Sequence, residues 1–279
     1  MGLVFQCGRF ELSLERPLVM GIVNVTPDSF SDGAAHFSAE QAIAHGRLLH
    51  SQGAHLLDIG GESTRPGAEP VSAADEAQRI LPVIEGLRGL GIPLSVDTFK
   101  PQVMTLALDA GADMINDIYA LRQPGALQAV AGYNCGLCVM HMQGQPKTMQ
   151  QAPAYDDIIR QVRQFFQNRV LALQDAGIAA QRIALDPGFG FGKTAAQNYQ
   201  LLRQLDDLKV GHYPWLLGVS RKSMIGHVTG GEPSERMAGS IAAALAGVAR
   251  GARMVRVHDV KATVDAINVW LATEYGIFS

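Results

Sequence analysis

Short apolar runs recur along the chain, each followed by a stretch in which apolar residues return every three or four positions. The runs fall at about 18–25, 55–60, 93–98, 113–117, 136–141, 182–186, 215–219 and 253–257. The helical-period stretches fall at about 38–52, 73–89, 100–110, 155–176, 233–250 and 259–273. Short runs that stay apolar without alternation belong to strands buried on both faces. Strands alternating with amphipathic helices pair in parallel through right-handed crossovers. Eight strand–helix units fit the pattern, which predicts an α/β fold of the (β/α)8 TIM-barrel type, with an open doubly wound sheet as its structural rival. The segment LVFQCGRFELS, broken by a glycine, predicts a short N-terminal β-hairpin across one barrel end. No low-complexity linker interrupts the alternation, so residues 1–279 are expected to form one domain, as barrels of about 250 residues commonly do.

The polar residues that break this pattern are unevenly placed. Asn24, Asp97, Asn116, Asp186 and Lys222 follow the apolar runs of MGIVN, PLSVD, DMIN, RIALD and PWLLGVSRK. In a parallel barrel all strands end on one face, so these five would form a concave polar floor there. Acceptors, amides and a cation suit a flat heterocycle with N–H donors on one edge and a carbonyl on another. A single strand-terminal Asp is more often a turn former or helix N-cap, and Asp97 before Thr98 and Asp186 before Pro187 allow that reading. In RMVRVHD, Arg256 and His258 stand two apart and so share a strand face. The end of the eighth barrel strand frequently binds phosphate, and a guanidinium fork with an imidazole fits that task. An inward Arg paired to an internal carboxylate is the equal alternative. The segments NVTPDSFSDG and GGESTRPGA, which hold Asn24 and Arg65, carry Gly or Pro and several hydroxyls, as lids and plain solvated turns both do.

Composition narrows the classes. With 279 residues, 47% apolar, 18% charged and a net charge of −3, the chain reads as an ordinary α/β enzyme. The acidic balance argues against a nucleic-acid surface and makes any phosphate site depend on a local group of cations. No apolar run is long enough to span a bilayer, and MGLVFQCGRFE lacks the order of a signal peptide. No membrane association and a cytoplasmic location are therefore expected. Cys7, Cys135 and Cys138 form no disulfide framework, and the C-x-x-C at 135–138 leads into a strand instead of opening a helix, so packing is its expected role. Gly192-Lys193-Thr194 resembles the end of a P-loop, but Pro187 stands where its first glycine belongs. Gly190-x-Gly192-x-x-Ala195 is a lone, late match to a dinucleotide fingerprint. His36, His45, His50, His55 and His141 lack metal-ligand spacing, so no metal cage built by protein alone is expected.

Eight segments, NVTPDSFSDG, DIGGESTRPGA, SVDTFKP, Asn116-Asp117-Ile118, VMHMQGQPKTMQ, LDPGFGFGK, GVSRKSMIG and RVHDV, occur in an order that resembles the dihydropteroate synthases. The resemblance runs from about residue 3 to 270, and several segments are long and specific. Ala34 stands where a second Gly often follows SDG, and the tail after Trp270 is idiosyncratic; neither touches an implied ligand contact. The resemblance implies a homodimeric (β/α)8 enzyme of folate biosynthesis and a sulfonamide target. Its reaction joins 6-hydroxymethyl-7,8-dihydropterin pyrophosphate to 4-aminobenzoate, giving 7,8-dihydropteroate and pyrophosphate. Position by position, it implies pterin contacts at Asp97, Asn116, Asp186 and Lys222, and a Mg2+ ligand at Asn24. Arg65, Arg256 and His258 would grip the diphosphate and, with Lys222, form the catalytic set. Thr64, Pro66, Phe30, Phe191 and Ser223 would line the aminobenzoate site, with the Ser223 N–H and hydroxyl receiving the carboxylate. The alternatives are a pterin-dependent methyltransferase, which has no use for those cations or the STRPGA loop, and a catalytically silent pterin-binding paralogue. Helices near 233–250 and 259–273, rich in Ala, Gly and Val, are the expected dimer face.

Overall fold

The computed structural model describes residues 3–25, 35–63, 69–144, 149 and 153–277. An antiparallel hairpin of β1 (Val4–Cys7) and β2 (Phe10–Ser13) comes first. Eight parallel strands follow: β3 (Leu18–Asn24), β4 (Leu56–Gly60), β5 (Leu94–Asp97), β6 (Met114–Asp117), β7 (Gly136–Met140), β8 (Ile183–Asp186), β9 (Trp215–Leu217) and β10 (Ala252–Val257). They close in the order β10-β3-β4-β5-β6-β7-β8-β9, so the barrel is realised and the open sheet is not. The strand bounds lie within about two residues of those expected from the apolar runs.

The helices are α1 (Ala35–Ser51), α2 (Ala73–Leu87), α3 (Pro101–Asp109), α4 (Ala126–Ala131), α5 (Ile158–Asp175), α6 (Ala195–Arg203), α7 (Ser223–Thr229), α8 (Met237–Val248) and α9 (Val260–Tyr275). The hydrophobic period did not disclose α4, α6 and α7, which have six, nine and seven residues. Six or seven residues leave too little periodicity to read in α4 and α7; α6 is marked instead by its capping box, Thr194 with Gln197. None of the described helices is long and apolar enough to cross a membrane.

Alternation along each strand divides the buried residues between two cores. Val19, Leu57, Ile59, Val96, Ile115, Val139, Leu185 and Val255 face the helices. Met20, Leu56, Met114, Cys138, Ala184, Leu216 and Met254 fill the lower barrel, and the hairpin plugs it with Phe5 and Cys7. Each such Leu or Met contributes about 1.5–3 kcal/mol by leaving water. Cys135 belongs to the outer core and Cys138 to the inner one, so the C-x-x-C is two packing residues on opposite faces, as expected.

Candidate active site

One pleat above the apolar layer the barrel interior turns polar. Leu56 gives way to Asp58, Met114 to Asn116, Ala184 to Asp186 and Met254 to Arg256, each two residues further along its own strand. Asp97 ends β5 directly opposite Asn116 in the β5–β6 register, and Asn24 ends β3 opposite Gly60. Asp58, fully buried, accepts from Asn116 Nδ2 at 3.1 Å and from Arg256 Nε. Arg256 Nη2 donates to Asp97 at 2.9 Å. Arg256 thus points inward from β10 and pairs with the acids that two neighbouring strands present. Asp58 Oδ1 is buried and accepts no hydrogen bond from the described residues.

Asp186 and Lys222 form the other half of the floor. A Cβ built on Gly218 would stand 3.6 Å from Lys222 Nζ and 3.7 Å from Asp186 Oδ2, so both groups flank one point above β9. Lys222 Nζ also donates to the Phe189 carbonyl and lies 4.7 Å from the centre of the Phe191 ring. Lys222 is not a strand-end residue as expected: β9 stops at Leu217, and Lys222 is the residue before α7. The intervening chain turns at Arg221, whose φ of 58° ends any strand continuation. Asp186 does serve its own turn, accepting from Gly188 N at 2.7 Å, while its second oxygen faces Lys222. Gly188 is obligatory there: at φ 69° a Cβ would sit 1.9 Å from the His141 carbonyl oxygen. Asp117, next to Asn116 on β6 and so on the opposite face, is a turn-forming acid: it accepts from the N–H groups of Tyr119 and Leu121 at 2.7 Å each.

Burial sets the titration of this cluster. It pushes Asp97 up to about 7, Arg256 opposing and Asp58 reinforcing the shift. It raises Asp186 as well, against the pull of Lys222. It lowers Lys222 to about 8, with Asp186 opposing. For Arg256, burial works against the charge but is outweighed by Asp58 and Asp97, so the guanidinium stays a fixed cation.

Two loops flank this floor. Ser220 Oγ lies 3.0 Å from His258 Nδ1 and accepts the His258 backbone N–H at 3.2 Å. Next to it, Arg221 pairs with Asp259 through two bonds of 3.0 and 2.6 Å, and Ser240 Oγ accepts the Arg221 N–H. Under the loop after β8, Lys193 Nζ donates to the carbonyls of His141, Gly188 and Phe191 at 3.2, 2.8 and 2.9 Å. Three acceptors match the three protons of an ammonium, although burial lowers its pKa to about 7. Lys193 is therefore a loop clamp and has no P-loop role.

Of the residues named from sequence, Asp97, Asn116, Asp186, Lys222 and Arg256 come together, and Phe191 lies over Lys222. His258 stands beside them on β10's exit, and Ser223 opens α7, exposed. Asn24 ends β3, half-buried. Phe30, Thr64, Arg65 and Pro66 lie outside the described residues. Asp58, Ser220 and Lys193 were not named for the site. Asp58 shares a strand face with Leu56 and Gly60, but an acid inside an apolar run carries no sign of which face is interior. A cleft of about 850 Å3 between α5 and α6, lined by Arg160, Arg163, Gln164 and Gln200, shares no residue with the polar floor.

Fold and floor together define a (β/α)8 barrel of the enzyme type, with a buried, titratable polar layer at the C-terminal ends of its strands. Residues 20–258 match the family model described as pterin binding enzyme. A dihydropteroate synthase of Neisseria meningitidis serogroup C is 52% identical over 274 residues, covering 96% of this chain and 97% of that one. The Xanthomonas albilineans dihydropteroate synthase solved with 4-aminobenzoic acid superposes with a TM-score of 0.93 at 53% identity, covering 99% of both chains. That of Burkholderia cenocepacia, solved with 7,8-dihydropteroate, gives 0.90 at 53% identity over 98% of this chain and 97% of that one. The chain belongs to the pterin-binding enzymes and, within them, to the dihydropteroate synthases, transferases of a pterinylmethyl group.

Proposed function

We propose that the floor of Asp97, Asn116, Asp186 and Lys222 holds the pterin of 6-hydroxymethyl-7,8-dihydropterin pyrophosphate while its CH2 group passes to 4-aminobenzoate. The observation that carries this assignment is the meeting of these four groups, from β5, β6, β8 and the turn before α7, over an apolar plug. Acids on that floor accept the N–H edge of the ring and favour positive charge spread over it. The C–O bond to pyrophosphate breaks with its electron pair leaving on oxygen, and the electron-rich ring stabilises the CH2 cation. The neutral arylamine then forms the C–N bond with its lone pair and releases a proton to solvent. Lys222 orients the pterin carbonyl. Release of pyrophosphate without 4-aminobenzoate, at a slow rate, is the expected mark of this order; strict dependence on the amine would establish direct displacement.

Arg65, Arg256 and His258 grip the diphosphate in this reading. Among the described residues two of the five N–H donors of Arg256 are used, on Asp58 and Asp97, so others can turn to phosphate oxygens. Thr64, Pro66, Phe30, Phe191 and Ser223 line the aminobenzoate site. The donors fit Mg2+: Asn24 ends its strand with a hard amide oxygen, and Mg2+ takes few protein ligands where a diphosphate supplies oxygens. Asn24 and the diphosphate would hold the ion, which supplies charge neutralisation of the leaving group.

One domain over residues 1–279, a homodimer through α8 and α9 and a cytoplasmic setting complete the reading. Met237 and Val269, exposed by 44% and 68%, support the dimer face, and three free, buried thiols suit a reducing compartment. Crosslinking that maps contacts elsewhere would discard that face. The test of function mixes the pterin pyrophosphate, Mg2+ and 4-aminobenzoate and measures phosphate after adding pyrophosphatase. Phosphate formed with amine is expected; its absence would leave a methyltransferase or a silent pterin binder.

A further inference from the structure

We propose that Ser220 is a positioning residue that sets the neutral tautomer of His258, with the proton on Nε2 and a bare Nδ1. The proposal rests on the reading of His258 as a diphosphate contact and specifies how that contact is made. A backbone N–H can only donate, so the bond from His258 N obliges Ser220 Oγ to accept. The hydroxyl keeps one proton of its own. Ser220 is buried, and the only other partner its oxygen has among the described residues is His258 Nδ1, 3.0 Å away. If Nδ1 carried a proton, it would donate to the same oxygen, and the hydroxyl proton would be buried without an acceptor among the described residues, which forfeits its solvation. With Nδ1 bare, every group is satisfied: the hydroxyl donates to Nδ1 and accepts from the backbone.

The fold holds this geometry independently of the pair itself. Arg221 and Asp259, the residues that follow Ser220 and His258, cross-link the same two loops through a two-bond guanidinium–carboxylate pair. Ser240 Oγ accepts the Arg221 N–H, and Arg236 Nη1 donates to the Arg221 carbonyl. Ser220 is thereby presented to the imidazole by a turn whose own backbone groups are tied down. An imidazole with its proton on Nε2 offers a donor to an anion, which a phosphate oxygen can take; with the proton on Nδ1 that nitrogen would be a lone pair facing negative charge. Ser220 therefore keeps His258 a phosphate donor even when the ring is neutral.

The test uses the full chain labelled with 15N-histidine and records two-bond 1H–15N spectra at a pH where the ring is neutral, with His258→Gln to assign the signal. Wild type should show an unprotonated Nδ1 and a protonated Nε2. Ser220→Ala should shift the signal toward mixed tautomers and weaken binding of the pterin pyrophosphate by about tenfold, the scale of one hydrogen bond. Its affinity for a pterin lacking phosphates should not change, and Ser220→Thr, which keeps the hydroxyl, should restore both readouts. A wild-type spectrum with the proton on Nδ1, or a Ser220→Ala tautomer identical to wild type, overturns the proposal. The wild-type spectrum needs no variant to fold and no substrate. Failure of the underlying contact reads differently: His258→Gln would then weaken phosphorylated and unphosphorylated ligands equally.

Discussion

The lower and upper halves of the barrel interior are built from the same strands with the same alternation, yet they do opposite things. Below, Met20, Leu56, Met114 and Met254 close on Phe5 and Cys7 as an apolar plug. Above, two residues along, Asp58, Asn116 and Arg256 interlock through hydrogen bonds, and Asp97 joins them through Arg256. A plug of this kind tolerates small changes in position because dispersion is weakly directional. The polar layer does not, since each buried charge there depends on a named partner. The plug also lends the floor its chemistry: it keeps water out from below, and the loss of solvation displaces the pKa values of Asp97, Asp186 and Lys222.

The sharpest way to break this contrast is Asp58→Ala. It removes the acceptor shared by Asn116 and Arg256, and an incompletely paired buried guanidinium costs about 3–5 kcal/mol. Denaturant unfolding should show that loss together with a fall in turnover, since the same residue supports both; a stable, active variant would mean the floor reorganises. Leu56→Ala, one pleat below on the same strand, should cost about 2–5 kcal/mol through its cavity and leave turnover per folded molecule near wild type. If it impaired chemistry as Asp58→Ala does, the two layers would not be separable.

Asp186→Ala should weaken pterin binding by the worth of a charge-assisted bond, about 1.5–3 kcal/mol, measured by calorimetry. Unchanged affinity would place the pterin elsewhere. The smallest effect is in pH. Lys222 titrates at about 8, lowered by burial. Its hold on a pterin carbonyl requires the ammonium, so affinity should fall as pH rises above about 8, by at most about tenfold per unit. Its contribution to folding has the opposite sign. The penalty on the buried ammonium is full below about 8 and is relieved as pH climbs toward the ordinary value of 10.5. Lys222→Gln should flatten both limbs, and an affinity limb that survives it belongs to another group.

The strand ends were legible because an acid or amide closing a short, largely apolar run stands out, and Asp97, Asn116 and Asp186 do lie at the ends of their strands. Asp58 was hidden by the same logic: it sits inside LLDIG, and only the barrel's curvature tells which face of that strand is interior. Ser220 was passed over because a serine in a turn is ordinary until its neighbour across space is known to be His258, 38 residues away. Lys193 read as a broken phosphate motif, since three carbonyls converging on one ammonium leave no mark in sequence.

The order of apolar and polar residues determined the eight-fold strand–helix alternation, the C-terminal face as the candidate site, and the family, because periodicity and long motifs are local properties of the chain. Closure of the barrel decided the rest. Only with β10 beside β3 does Arg256 come between Asp58 and Asp97, 198 and 159 residues away, and become a buried cation with two acids to satisfy. Pairing energies of that kind depend on distance and desolvation, which exist only once the strands have met.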